Sequence, residues 1–445
     1  MKYLSLTTQD QALMLKTLGV SGVDDLFNDI PQEIKLNRPL NLPQPLSEME
    51  LNRLIRDTAH KNRLENNTGF FLGAGAYRHY IPSPVSQLIS RGEFYTPYTP
   101  YQPEVSQGLL QTFFEFQSFI CRLSKMDVSN ASLYDGATAV VEAAVIAHRV
   151  NGRKKILVSQ ALHPEYREVL KTYLAASQLT IEELPLDNGT TVLPGEAQLQ
   201  EAAALVIQQP NFFGCLEEAA AFAQKAKAAK CLTIGVVTDP VSLGILTPPG
   251  EWGADIFVGE GQALGIPLSF GGPGLGLIAA RQEYVRHLPG RIVGESVDKD
   301  GKRAFCLTLQ TREQHIKRER ATSNICSNHA LLAACATFYL ALMGKTGLKT
   351  AAENSVFLAH LAQEEICKLP GFSPAFSSPF FHEFVVNCPD TAEKLFSYLE
   401  SKNITGGLPL GRFLPEMKQQ MLFCLTELNT ENEIKELISA LEDYR

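Results

Sequence analysis

Short apolar runs alternate along most of this chain with stretches whose apolar residues recur every three or four positions. The runs Lys155–Ser159 (KILVS), Leu179–Leu184, Ala204–Gln208 (ALVIQ), Thr233–Thr238 (TIGVVT) and Asp255–Gly259 read as strands. Their unbroken apolar character fits a sheet buried on both faces. Between them, Pro164–Ala176 and the Ala-rich Leu216–Lys230 carry helical periodicity. This βαβ alternation predicts a mostly parallel sheet with helices on both faces. Gly108–Leu123 predicts a strongly apolar helix upstream, and Ala131–Tyr134 a short strand. A small-residue turn, Asp135-Gly136-Ala137-Thr138, then opens the helix VVEAAVIAHRV. The turn is an anion site in principle, but a carboxylate inside it repels phosphate, and the favoured reading is an ordinary cap.

The two ends of the chain differ from this middle. Thr7 to Asp10 gives an N-cap signal, Ser21–Phe27 a short helix, and Ser47 with Glu50 a capping box. Residues 1–69 therefore form a helical N-terminal arm, suited either to wrap a partner or to lie on its own domain. Residues 70–330 form a large α/β domain and 331–445 a smaller C-terminal one. In the smaller domain HEFVV (382–386) reads as a strand and Lys435–Leu441 as a helix. A helix is predicted to begin near Ser323 or Asn324, preceded by the basic cluster Arg312, Lys317, Arg318 and Arg320. That cluster is more readily a solvated face than an anion site.

Composition changes this picture little. A net charge of −8 with 45% apolar residues argues against general nucleic-acid binding and allows a sizeable core. No uncharged apolar run reaches the length of a membrane span, and MKYLSLTTQDQ lacks the pattern of a secretory leader. Nine Cys, odd in number and without CxxC spacing, predict neither disulfides nor a cysteine zinc site. No metal site is expected, and a reducing, cytoplasmic setting is.

Candidate chemistry concentrates at two places. Asp239 stands at the carboxyl end of a predicted central strand, where open α/β sheets place ligands. Residues 76–108, after Phe70–Gly75, form an aromatic, Pro-rich loop carrying His79 and Tyr77, Tyr80, Tyr95, Tyr98 and Tyr101. Ordered loops this long are usually functional, although aromatic side chains equally favour interface packing. The layout around Asp239 resembles the pyridoxal-phosphate (PLP) enzymes built like aspartate aminotransferase. In those enzymes an Asp pairs with the pyridine nitrogen and a later Lys forms a Schiff base. Here no Lys occurs between Lys230 and Lys299. Gln262 stands where that Lys is expected, and its amide nitrogen is not a nucleophile. Thr138 with Asp239 and Gln262 would line a degenerate cofactor pocket.

Several long segments sharpen the resemblance: FLGAGAYRHYIPSPV, YTPYTPYQPEVSQGLLQ, SLYDGATAVVEAA, VVTDPVSLGIL, FVGEGQALGIPLSFGGPGLG and GRIVGESVDKDGKRAFCLTLQTREQHIKRERATSNICSNHAL. They are similar to the α-subunit branch of glycine dehydrogenase (decarboxylating), the P-protein family of the glycine cleavage system. The resemblance implies an α₂β₂ assembly whose β subunit binds PLP through a Lys in a His-Lys dipeptide. Aligned on Ile266-Pro267 and Gly271–Gly274, that dipeptide falls on Gly261-Gln262. It further implies that glycine is decarboxylated and its aminomethyl group passed to the lipoyl arm of the H-protein. This chain then supplies no catalytic residue of its own, and Tyr95, Tyr98 and Tyr101, with His79 as a weaker candidate, contribute to the partner's active site. The competing readings are an autonomous PLP enzyme anchored at Lys299, Lys302 or Lys317, a nicotinamide-dependent dehydrogenase, and a non-enzymatic scaffold. Neither glycine-rich turn completes GxGxxG, because Arg78 and Leu277 occupy the last places.

Overall fold

A computed structural model describes residues 6–62, 69–321 and 323–444. The leader reading at residues 1–5 and the approach to the 69/70 boundary lie outside the described residues. The chain divides into two compact units, 1–63 and 64–445.

The first unit holds α1 (Thr8–Leu18), a 3₁₀ turn at Val23–Phe27 and α2 (Glu48–Ala59). Both predicted capping signals form. Thr7 accepts from the Asp10 backbone, Ser47 accepts from that of Glu50, and each acidic side chain reaches back to its cap. Neither helix has a buried residue; Leu13, Leu18, Met49 and Ile55 are all exposed.

From residue 69 the second unit runs through a loop carrying α3 (Ser83–Ile89) and α4 (Gly92–Tyr95), followed by α5 (Gln107–Ser124) and β1 (Val128–Ser129). The alternating part then runs α6 (Gly136–Asn151), β2 (Lys155–Ser159), α7 (Pro164–Leu174) and β3 (Thr180–Leu184). A small hairpin, β4 (Leu186–Asp187) and β5 (Thr190–Thr191), leads to α8 (Glu196–Glu201), β6 (Ala202–Gln208), α9 (Ala219–Ala228) and β7 (Leu232–Val237). The central region closes with α10 (Pro249–Trp252), β8 (Ile256–Glu260) and β9 (Gly276–Ala280).

The main sheet has the order β1-β9-β8-β7-β6-β2-β3. β8, β7, β6, β2 and β3 are parallel, whereas β9 is antiparallel to β8 and to β1. Every residue of β6, β7, β8 and β9 is buried, as their unbroken apolar sequence requires. One face packs against α6 and α7 through Val140, Ile146, Tyr166 and Leu170. The other packs against α5 and the first half of α12 (Ala330–Cys367) through Phe113, Phe116, Tyr339 and Leu340.

A hairpin of β10 (Ile292–Val297) and β11 (Arg303–Thr308) follows the main sheet, with α11 (Gln314–Lys317) after it. The last lobe is a four-stranded antiparallel sheet, ordered β12 (Ser373–Pro374), β13 (Glu383–Asn387), β15 (Gln420–Cys424) and β14 (Leu408–Pro409). It is covered by the second half of α12, α13 (Ala392–Ser401) and α14 (Glu431–Glu442), which share Phe384, Leu395, Phe423 and Leu437 as a core. The main sheet and this last sheet both lie in the second unit.

Two predicted elements differ. Only Leu133 of the Ala131–Tyr134 stretch pairs, with Gly276. Asn130 binds the Pro289 carbonyl and the Ser132 backbone, and Ser132 takes φ of +105°, so the strand stops at Ser129. The helix expected from Ser323 begins at Ala330 instead. Ser323 Oγ donates to Glu142 and accepts from the Ile325 backbone, and Asn328 donates to the Ala131 carbonyl. These bonds hold 323–329 as a loop. Arg312 of the basic cluster donates to the Gly290 and Leu309 carbonyls, so it braces the chain.

α12 is long and apolar enough, by length and composition, to span a bilayer. Gly344 breaks it, however, with φ 57° and ψ −172°, and its apolar residues enter the two cores just described. At the amino ends of the strands Arg153 donates to the carbonyls of Leu199, Ala202 and Ala229. One guanidinium thus joins the end of α8, the start of β6 and the turn before β7.

Candidate active-site pocket

β7 delivers Asp239 to the middle of the sheet's carboxyl edge, between its neighbours β6 and β8. The carboxylate is fully buried. Oδ1 accepts from the Val241 backbone at 3.0 Å, and Oδ2 lies 3.2 Å from His79 Nε2 and 3.4 Å from His382 Nε2. Burial alone would raise its pKa, but the charge and hydrogen bond of His79 prevail and hold it below the ordinary value. His79 Nδ1 meets Glu427 at 2.7 Å. Burial opposes charging of this ring, yet Asp239 and Glu427 together raise it to about 10, so it is an imidazolium at neutral pH. His382, buried without such support, falls to about 4 and is neutral.

Tyr77 lies across this pocket. Its hydroxyl donates to Glu383 at 2.8 Å and lies 3.3 Å from Thr238 Oγ1. Burial pushes Glu383 up to about 7. The Tyr77 backbone is gripped by Gln262: its N–H donates to Oε1 at 2.9 Å, and Nε2 donates to its carbonyl at 3.0 Å. Nε2 also donates to the Ile266 carbonyl at 2.7 Å. The Gln262 amide thus does the work of a peptide group in a ladder.

Glu260, two residues earlier at the end of β8, turns to the amino end of α6. It accepts from the backbones of Gly136 at 3.0 Å, Gln262 at 3.0 Å and Leu275 at 2.7 Å. Asp135 caps the same helix, accepting from the Thr138 backbone at 2.7 Å and its hydroxyl at 3.0 Å. The cap reading of this turn is therefore the one the structure adopts. The helix end that would attract a phosphate already holds two carboxylates.

These residues do not fit PLP carried by this chain. An amide engaged in three backbone bonds stands at 262. Glu260 takes the Gly136 N–H, the first donor of α6. Asp239 is already paired with His79, so its carboxylate is not free to meet a pyridinium.

The sequence model of the glycine cleavage system P-protein family matches residues 1–441. The chain belongs to the P-protein family. It is 51% identical over 443 residues to the probable glycine dehydrogenase (decarboxylating) subunit 1 of Moorella thermoacetica, covering 99% of each chain. It is 49% identical over 447 residues to the protein of the same description from Desulfitobacterium hafniense, covering 100% of each. Among solved structures it superposes on an inhibitor-bound glycine decarboxylase (P-protein) with a TM-score of 0.90 and 44% identity, over the whole of both chains. An aspartate aminotransferase from Thermus thermophilus gives a TM-score of 0.57 at 14% identity, covering 84% of this chain and 98% of that one. This more distant likeness bears out the expected aspartate-aminotransferase-like fold.

Within this P-protein family chain the predicted site residues separate into two groups. Asp239 and Gln262 join through Tyr77 and Thr238, and Thr138 sits at the neighbouring helix end. His79, expected to face a partner, is instead inside the chain's own pocket, because Asp239 and Glu427 hold both its nitrogens. Tyr95, Tyr98 and Tyr101 lie on the surface, 68%, 71% and 75% exposed, with the Tyr98 hydroxyl 3.3 Å from Ser327 Oγ. Sequence reasoning missed His382, Glu383, Glu427 and Glu260. Glu260 carried a signal, being a carboxylate at the end of an apolar run. His382 and Glu383 fall in the HEFVV run, whose pattern signals only a strand.

Proposed function

We propose that this chain is the non-anchoring subunit of a two-chain glycine dehydrogenase (decarboxylating). The second subunit supplies the Lys that binds PLP, which provides the electron sink for loss of CO₂ from glycine. The lipoylated H-protein accepts the aminomethyl group, and the assembly is α₂β₂. One observation carries this reading: an amide rather than an amine occupies position 262, fixed by three backbone hydrogen bonds. The relatives' description as subunit 1 supports a companion chain. Nine free thiols support a reducing, cytoplasmic setting.

This chain's part is to complete the companion's active site. Tyr95, Tyr98 and Tyr101 offer hydroxyls to orient a bound substrate and ring faces to exclude water. The apolar side chains of α1 and α2 would add interface area.

Co-expression with a candidate second subunit, followed by sizing and glycine–CO₂ exchange, tests the proposal. The mixed assembly should exchange CO₂, and each chain alone should not. Full activity of the second subunit alone would make this chain a scaffold. A PLP chromophore and exchange from this chain alone would overturn the reading.

A further inference from the structure

We propose that His79, Asp239 and His382 form a binding site for one divalent transition-metal ion of the zinc class. The three side chains are buried, and their donor atoms lie within 4.8 Å of one another. Two edges of the triangle are 3.2 Å and 3.4 Å. A tetrahedral ion with bonds of about 2.0–2.1 Å separates its ligand atoms by about 3.4 Å, so both edges to Asp239 already match, and the edge between the two imidazoles, no longer than 4.8 Å, is the one that would adjust. Two imidazole nitrogens and one carboxylate oxygen suit zinc, cobalt or nickel rather than magnesium or calcium. Three protein donors leave a fourth position for water.

Two further observations point to the same ligand. Both nitrogens of His382 are buried without a hydrogen-bond partner, although the residue is only 2% exposed. An unsatisfied buried ring of this kind is costly, and coordination through Nε2 would remove part of that cost. His79 already has the posture of a metal ligand. Its Nδ1 meets the Glu427 carboxylate at 2.7 Å, which directs Nε2 toward Asp239. Outer carboxylates of this kind orient ligating imidazoles. Charge agrees as well, since Asp239, Glu383 and Glu427 crowd one pocket. The ion would take the place that the fold elsewhere gives to a pyridine ring, and the proton between His79 and Asp239 would leave on binding.

The site would act as a latch. His79 lies on the loop before α3, Asp239 at the end of β7, His382 immediately before β13, and Glu427 after β15. One ion would join the entry loop, the main sheet and the C-terminal lobe.

The test uses the isolated full-length chain and reads metal content, so it does not depend on the companion subunit. Protein expressed with Zn²⁺ or Co²⁺ in the medium is desalted and analysed by mass spectrometry for metal. Roughly one equivalent should be retained, and the Co²⁺ form should show the visible bands of a tetrahedral site. His382→Ala and Asp239→Asn should lose the ion, Glu427→Gln should weaken it by tenfold or more, and His360→Ala, at an exposed ring, should keep it. Circular dichroism checks that each variant folds. Wild-type protein holding less than about a tenth of an equivalent overturns the proposal whatever the variants do. Equal metal content in wild type and a folded His382→Ala overturns it too.

Discussion

Gln262 shows how a side chain can close a pocket by being useful elsewhere. Its amide satisfies the Tyr77 N–H and carbonyl and the Ile266 carbonyl through buried hydrogen bonds. Gln262→Ala leaves those three groups unpaired and should cost about 2–4 kcal/mol, read as a lower denaturant midpoint with unchanged slope. Gln262→Lys should give no imine absorbance with PLP, because Glu260 and Asp135 still hold the amino end of α6. A stable imine in that variant would show that the absence of an amine at 262 was the sole obstacle. Glu142 makes a pH-dependent contribution. Burial raises its folded pKa to about 7 from an ordinary 4.5. Between those values the folded state binds the extra proton, so stability falls as pH rises through the window and then levels off. Glu142→Gln should therefore gain about 2–3 kcal/mol near pH 8 and almost nothing near pH 4, measured as paired denaturation curves.

Regular elements were largely legible in the sequence, and their ends were not. The apolar runs at 155–159, 204–208 and 233–238 announced central strands because burial on both faces leaves no room for alternation. Asp239 could be placed for the same reason. The stop after β1 and the late start of α12 were hidden, since bonds from Asn130 to Pro289 and from Asn328 to Ala131 decide them. The pocket was half legible on similar grounds. His79 and Glu427 meet across 348 positions, beyond any window of local pattern. The break in α12 offers a clean test of backbone strain. A Cβ at Gly344 meets nothing within 4 Å, but its φ of +57° is one that other residues rarely adopt. Gly344→Ala should cost about 1–3 kcal/mol, seen in thermal unfolding.

The whole chain presents a closed pocket and an open surface. Tyr95, Tyr98 and Tyr101 are exposed although aromatic side chains gain by burial. The combined change of all three to Ala should leave the isolated chain's unfolding midpoint unaltered. It should weaken assembly with the companion subunit by at least about tenfold, measured by sedimentation. Unaltered assembly would mean that this surface faces solvent in the complex.

Arg153 bears on how this molecule can move. Its guanidinium clasps three carbonyls from two stretches of chain, the α8–β6 junction and the turn before β7, at the amino ends of the strands. Parting the start of β6 from the turn before β7 would strip carbonyls from one shared cation, so the two strands are tied at their base through a single side chain.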